Sequence, residues 1–225
     1  MRRIASRPKH SSTSGEAMSA LDLHVHRWEP AADGGRLTLL LLHGTGGDEN
    51  DLVPLARMVA PEAAVLSVRG NVLEQGMPRF FRRLREGVFD EADLRRRTLE
   101  LSDFVEAAAA HYRFDLAGLY ALGFSNGANV AASMMLVRPT VLAGGVLIRA
   151  MVPFEPSARV DLSGHAVLLS QGRMDPLIPA AGAERLAAIL TESGADVELA
   201  WQPAGHSLTP GDVSAARRWL AARPT

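Results

Sequence analysis

Gly123-Phe124-Ser125-Asn126-Gly127 stands where an apolar run gives way to a helical one. Upstream, AGLYALGFS (117–125) reads as a strand; downstream, NGANVAASMMLVRP (126–139) has helical spacing and a proline stop. So sharp a turn forces its central residue into a strained backbone conformation. Small residues two positions to either side let the central side chain stand clear of the sheet edge. G-x-S-x-G in that setting presents a serine as a nucleophile. Five residues are weak evidence alone, so the flanking pattern has to carry the reading.

Working outward, strands and helices alternate from Leu21 onward. LDLHVHRW (21–28) alternates apolar and polar residues, as an edge strand does. LTLLLLHG (37–44) is almost continuously apolar, the mark of a strand buried on both faces. A helix over about 50–60 and strand AAVLSVRG (63–70) follow, then an arginine-bearing loop over about 71–90 and a long helix over about 91–112. After the central turn come strands GGVLIRA (144–150) and HAVLLSQG (165–172), a helix at about 179–194, strand DVELAWQP (196–203) and a last helix at about 210–222. Buried strands alternating with helices predict an α/β fold, a mostly parallel sheet covered on both faces. Sites in such sheets form at the carboxyl ends of the strands.

Three such ends carry chemistry. Ser125 is the first; Gly172-Arg173-Met174-Asp175-Pro176 places an acid just after a strand; Gly205-His206-Ser207 lies between the last strand and the last helix. The chain order Ser, Asp, His is one of the known orders of a Ser-His-Asp arrangement. A serine hydroxyl is a poor nucleophile until an imidazole takes its proton, which assigns the base to His206 and its orientation to Asp175. Charge developing on a substrate oxygen needs preset N–H donors. Asn126, directly after the serine, supplies one, and Thr45 in His43-Gly44-Thr45-Gly46-Gly47 supplies the other. Asp161 and Asp196 are rivals for the acid, but Asp161 precedes a strand and Asp196 begins one. His43 reads as a loop-shaping residue, and His24, His26, His111 and His165 sit away from the relevant strand ends. No metal-ligand spacing appears.

Composition limits the alternatives. With 225 residues, 47% hydrophobic, the chain holds one domain with a sizeable core, expected over 18–225. There is no cysteine, which removes disulfides, thiolate metal sites and a Cys nucleophile and fits a reducing compartment. Residues 1–17 carry Arg2, Arg3, Arg7 and Lys9 against Glu16 and lack the apolar stretch of a secretory signal; they read as a disordered extension, with Met18 an alternative start. The remaining chain is net acidic, which argues against a nucleic-acid partner. No apolar run approaches the length of a membrane span.

Taken together, LLLLHGTGGDENDL, SVRGNVLEQGMPRFFRRL, LGFSNGANVAASMM, GRMDPLIP and GHSL resemble the bacterial carboxylesterase/phospholipase group of α/β-hydrolases. The branch is that of small cytoplasmic hydrolases associated with hydroquinone and quinone stress. The likeness runs from about Leu21 to Leu220. It implies an α/β-hydrolase fold, carboxylic ester hydrolysis without a cofactor, and a cytoplasmic location. The family's nucleophile, acid and base fall on Ser125, Asp175 and His206, and its oxyanion loop on His43 to Gly47. Ile148-Arg149-Ala150 departs from the pattern, where a more polar or His-containing stretch is expected. The segment from Gly76 to Arg83 follows a strand's carboxyl end, so Met77, Phe80 and Phe81 are candidates for an apolar pocket wall and Arg79 for a contact with an anionic group. The same pattern also suits phenylalanines anchored in the core and arginines facing water. There is no room for a large cap domain, which favours small or water-soluble ester substrates. The same machinery cleaves thioesters, so a thioesterase is the nearest alternative; a non-catalytic binding module is the alternative from another class. A homodimer is compatible with the chain, whose oligomeric state is not legible in it.

Overall fold

The computed structural model describes residues 20–32 and 35–223. The extension expected over 1–17, and the start at Met18, lie outside the described residues. Seven strands form the main sheet. They are β1 (His26–Glu29), β2 (Thr38–Leu42), β3 (Ala64–Val68), β8 (Leu119–Phe124), β9 (Gly144–Ile148), β10 (Ala166–Gly172) and β11 (Asp196–Gln202), with β4–β7 in two small hairpins described below. Their spatial order is β1-β3-β2-β8-β9-β10-β11. Only β1 runs antiparallel to its neighbour; every other pairing is parallel.

The continuously apolar strands behave as their composition requires. Leu40 and Leu42 point into one core with α2 (Glu91–Tyr112), α3 (Asn126–Val137) and α4 (Ala180–Glu192). Leu39 and Leu41 point into a second core with α1 (Val53–Val59) and α5 (Pro210–Ala221). One strand thus feeds both layers, the signature of a parallel sheet wrapped on both faces. β11 sits at an edge and alternates in exposure accordingly. Among the described residues no helix is long and apolar enough to cross a membrane.

Two expectations need correction. The first strand begins at His26, because Ala20–Leu23 curls into a 3-10 turn. The His24 ring reaches the carbonyl of Arg69 at 3.0 Å, which draws the chain onto the sheet before pairing starts. The stretch 71–90, expected as a loop, contains two hairpins: β4 (Val72–Glu74) with β5 (Met77–Arg79), and β6 (Arg83–Arg85) with β7 (Val88–Phe89). Gln75 and Gly76 both take positive φ, 54° and 78°, as a two-residue primed hairpin turn demands.

From β2 the chain steps to β3 on one side, and β8 pairs with β2 on the other. The strand order therefore reverses between β2 and β8, the place where parallel sheets open a crevice at their carboxyl ends. The loop after β2 carries Thr45, and the turn after β8 carries Ser125.

Candidate active site

Ser125 occupies the single-residue joint between β8 and α3, with φ 51° and ψ −112°. A non-glycine residue is held there only where the surroundings over-determine it. Its N–H donates to the carbonyl of Ile148 at 2.9 Å, and its carbonyl accepts from Asn129 N–H at 2.9 Å. The flanking glycines answer to close packing. A Cβ on Gly123 would stand 2.8 Å from the backbone of Ala128, and one on Gly127 would stand 1.9 Å from the carbonyl oxygen of Leu42. Helix α3 therefore starts in direct contact with strand backbone, leaving no room for even a methyl group at these positions.

The Ser125 hydroxyl lies 2.9 Å from Nε2 of His206, and Nδ1 of the same ring lies 2.8 Å from Oδ2 of Asp175. One tautomer satisfies both contacts: Nδ1–H donates to the carboxylate, and Nε2 accepts from the hydroxyl. The Asp175 side chain is fully buried, while that of His206 keeps a quarter of its surface exposed. The other Asp175 oxygen, Oδ1, accepts from the N–H groups of Leu177 and Ile178 at 2.8 and 3.3 Å, which fixes the carboxylate plane. The loops after β10 and β11 are stitched together by Arg173 N–H to Gln202 O at 2.9 Å and Met174 N–H to Ala204 O at 3.0 Å. Residues 81 positions apart in sequence thus meet because β8, β10 and β11, with β9 between the first two, all end at the same edge of the sheet.

Thr45 and Asn126 border the same cleft, and among the described residues their backbone N–H groups meet no protein acceptor. The loop that carries Thr45 is braced. Gly46 N–H donates to the Pro78 carbonyl at 2.9 Å, and Arg79 Nη1 donates to Thr45 Oγ1 at 2.6 Å. His43 is buried beneath: Nδ1–H donates to Gly44 O at 2.6 Å, and Nε2 accepts from Gly70 N–H at 3.0 Å. Burial pushes its pKa below the usual histidine value, outweighing the hydrogen bond to Gly44 and the carboxylates of Asp51 and Asp48. With both ring nitrogens committed to backbone groups, His43 shapes the loop.

The cleft above Ser125 is small, about 60 Å³. Arg79 lines it, although only 3% exposed, with its Nε 3.3 Å from Glu74. Burial draws the Arg79 pKa below its ordinary value, partly opposed by Glu74. Phe80 and Phe81, expected as candidates for the wall, instead lie in the core with α2 and α3, 2% and 0% exposed. The Phe80 N–H donates to Asn126 Oδ1 at 2.8 Å, which turns the chain inward at that point. Met77 does not border the cleft; its side chain lies against Gly46 in the loop after β2. The apolar wall is supplied by Phe89, Met151, Leu177 and Ile178, with Asn129 on the floor. Leu177 and Ile178 come two and three residues after Asp175, and Asn129 stands one turn along α3 from Asn126, so these had a legible signal; Phe89 and Met151 had none. Among the described residues no cluster of His, Asp and Glu side chains has the makings of a metal site.

The likeness to known proteins extends over most of the chain. Protein MhqD of Bacillus subtilis (strain 168), named as a hydrolase, is 48% identical over 181 residues, 80% of this chain and 90% of that protein. A Bacillus cereus carboxylesterase superposes with a TM-score of 0.86 at 47% identity, covering 88% of this chain and 94% of that one. A Mesorhizobium loti carboxylesterase superposes at 0.84 with 32% identity, covering 89% and 96%. The sheet, its switch point and the turn at Ser125 are those of an α/β-hydrolase without a large cap. Residues 29–223, from the edge strand to the end of the last helix, match one family model, and the chain belongs to the phospholipase/carboxylesterase family.

Proposed function

We propose that this family member cleaves small carboxylic esters through an acyl-serine intermediate, with Ser125 as nucleophile, His206 as base and Asp175 as the residue that orients it. The observation that carries this reading is the unbroken contact chain Ser125 Oγ to His206 Nε2 to Asp175 at 2.9 and 2.8 Å, beside two unengaged N–H donors. The Ser125 hydroxyl attacks the ester carbonyl as His206 takes its proton. Asp175 stabilises the imidazolium that forms. The carbonyl oxygen becomes an oxyanion between the N–H groups of Thr45 and Asn126, each such donor being worth a factor of roughly 10² to 10³. His206 then returns the proton to the departing alcohol. Water attacks the acyl-serine by the same route in reverse, with His206 again as base, and releases the acid.

The small cleft and the missing cap support short acyl or alcohol groups over bulk lipid. The carboxylesterase names borne by the relatives from Bacillus cereus and Mesorhizobium loti support an oxygen ester as the substrate class. A chain without cysteine supports a reducing, cytoplasmic setting.

Labelling with a fluorophosphonate probe, wild type beside Ser125→Ala, tests the reading. The expected result is one modified peptide, carrying Ser125, and a fall in ester turnover of up to roughly 10⁶ in the variant. A folded wild type that takes up no label would overturn it.

A further inference from the structure

We propose that Arg149, locked to Asp212, is a positioning residue that holds the His206 loop in its reactive geometry. The proposal rests on the catalytic reading of His206 given above. Arg149 follows β9 directly, is fully buried, and has φ 57°, a left-handed conformation in a long-chain residue. Such strain persists only where several contacts enforce it.

The guanidinium has five N–H bonds, and each has an acceptor. Nη1 and Nη2 fork onto the two oxygens of Asp212 at 2.8 and 2.9 Å. Nη1 also donates to Ser170 O at 3.1 Å. The remaining two bonds go to the His206 loop: Nε to Gly205 O at 2.9 Å and Nη2 to Ser207 O at 2.8 Å. The carbonyls on both sides of His206 are thus held by one rigid, planar group. Asp212, itself fully buried, also accepts from Ser170 Oγ at 2.6 Å and from Thr209 N–H and Oγ1 at 2.8 Å each, closing the capping box of α5. Burial works against its charge, but the hydrogen bonds from Arg149, Ser170 and Thr209 prevail and hold its carboxyl below the usual carboxylate range.

β9 therefore references both reacting partners to one point. The Ile148 carbonyl receives the Ser125 N–H, and the next residue grips the His206 loop. Every Arg149 donor is already spent, so the group has nothing left for a substrate, and its positive charge is matched by Asp212. Its contribution is therefore to turnover, with substrate affinity left nearly unchanged. A shift of about 1 Å in the base costs on the order of 10²-fold in rate.

Replacing both partners of a buried ion pair together leaves no buried charge unpaired, which supplies the decisive variant. Arg149→Lys, Arg149→Ala, Asp212→Asn and the double variant Arg149→Met with Asp212→Leu are compared with wild type and Ser125→Ala. Ester kinetics, fluorophosphonate labelling rate and thermal midpoint are read on each. The expected result for the double variant is a folded protein with a lowered midpoint, since the Gly205 and Ser207 carbonyls and the Thr209 cap lose their partners, with kcat lowered at least about tenfold, KM within about threefold, and a labelling rate that falls in step with kcat. Arg149→Lys, which keeps the charge but loses the fork, recovers little. Guanidinium ion at millimolar concentration restores part of the Arg149→Ala rate and none of the Ser125→Ala rate. A folded double variant with kcat within threefold of wild type overturns the positioning role and leaves the Ser125 chemistry standing. A loss confined to KM overturns it too. If Ser125→Ala matches wild type in every assay, the catalytic reading falls and the proposal with it.

Discussion

Replacing Ser125 with glycine is expected to make a dead but more stable protein than replacing it with alanine. Both substitutions remove the hydroxyl and its 2.9 Å contact with His206, so that loss cancels in the comparison. The difference lies in the backbone. At φ 51° and ψ −112°, alanine keeps the Cβ that makes the conformation unfavourable, and glycine does not. Strain of this kind costs about 1–3 kcal/mol. Glycine gives back about 0.4–1 kcal/mol through the greater freedom of its unfolded chain. The middle of these ranges favours glycine by about 1.3 kcal/mol, which for a domain of this length is about 3–5 °C in thermal midpoint. Both backbone hydrogen bonds of the position survive in either variant, since neither uses the side chain. Scanning calorimetry on the two proteins at neutral pH decides the matter, with fluorophosphonate labelling to verify that both are inert. If the alanine variant melts at the same temperature or higher, the joint is not strained, and the argument that the fold holds the nucleophile under tension is wrong.

Gly127→Ala should cost about 1–3 kcal/mol or more and slow labelling of Ser125, because its Cβ would stand 1.9 Å from the Leu42 carbonyl; Gly182→Ala, with nothing within 4 Å, should be neutral or slightly stabilising in the same urea titrations. Stability should fall as the pH drops from 7.5 to 5.5. Burial holds the pKa values of His24 and His43 below the ordinary histidine range, so the unfolded chain takes up protons before the folded one does, and folding loses ground below about pH 6.5. A urea midpoint that stays flat over that interval, or that rises on acidification, would contradict the buried neutral state of both rings.

The central strands were legible because each is buried on both faces, so a short apolar run such as Leu39–Leu42, ended by His43-Gly44, reads as a strand by its length and its flanks. Ser125 was legible because it follows such a run directly, and Asp175 and His206 because each lies in the short loop after a strand of the same sheet. The hairpins were not. Three-residue strands such as Val72–Glu74 carry too little pattern to register a period of two, and their pairing is decided by the surface they cover. The same limit explains the pocket wall. Arg79, Phe80 and Phe81 are neighbours in sequence, yet the first borders the cleft and the other two enter the core. The direction of the chain there is set by the hydrogen bond from Phe80 to Asn126, a partner 46 residues away. Arg149 stood out as a departure without an explanation, since its meaning resides in Asp212, 63 residues further on.

The two hairpins differ in how firmly they are joined to the chemistry. Pro78, Arg79 and Phe80 touch the Thr45 loop and Asn126 through three separate hydrogen bonds, so the first hairpin is tied to both residues proposed as oxyanion donors. Residues 83–89 make no such bond to either donor; Arg83 reaches only as far as Glu74. Variation in the first hairpin is expected to change rate, whereas the second contributes Arg83, Glu86, Gly87 and Phe89 to the cleft and is joined to the first through the Arg83–Glu74 pair. Altered acceptance of substrates is therefore expected to come more readily from substitutions at 86–89 than at 77–80, whose hydrogen bonds reach the proposed oxyanion donors.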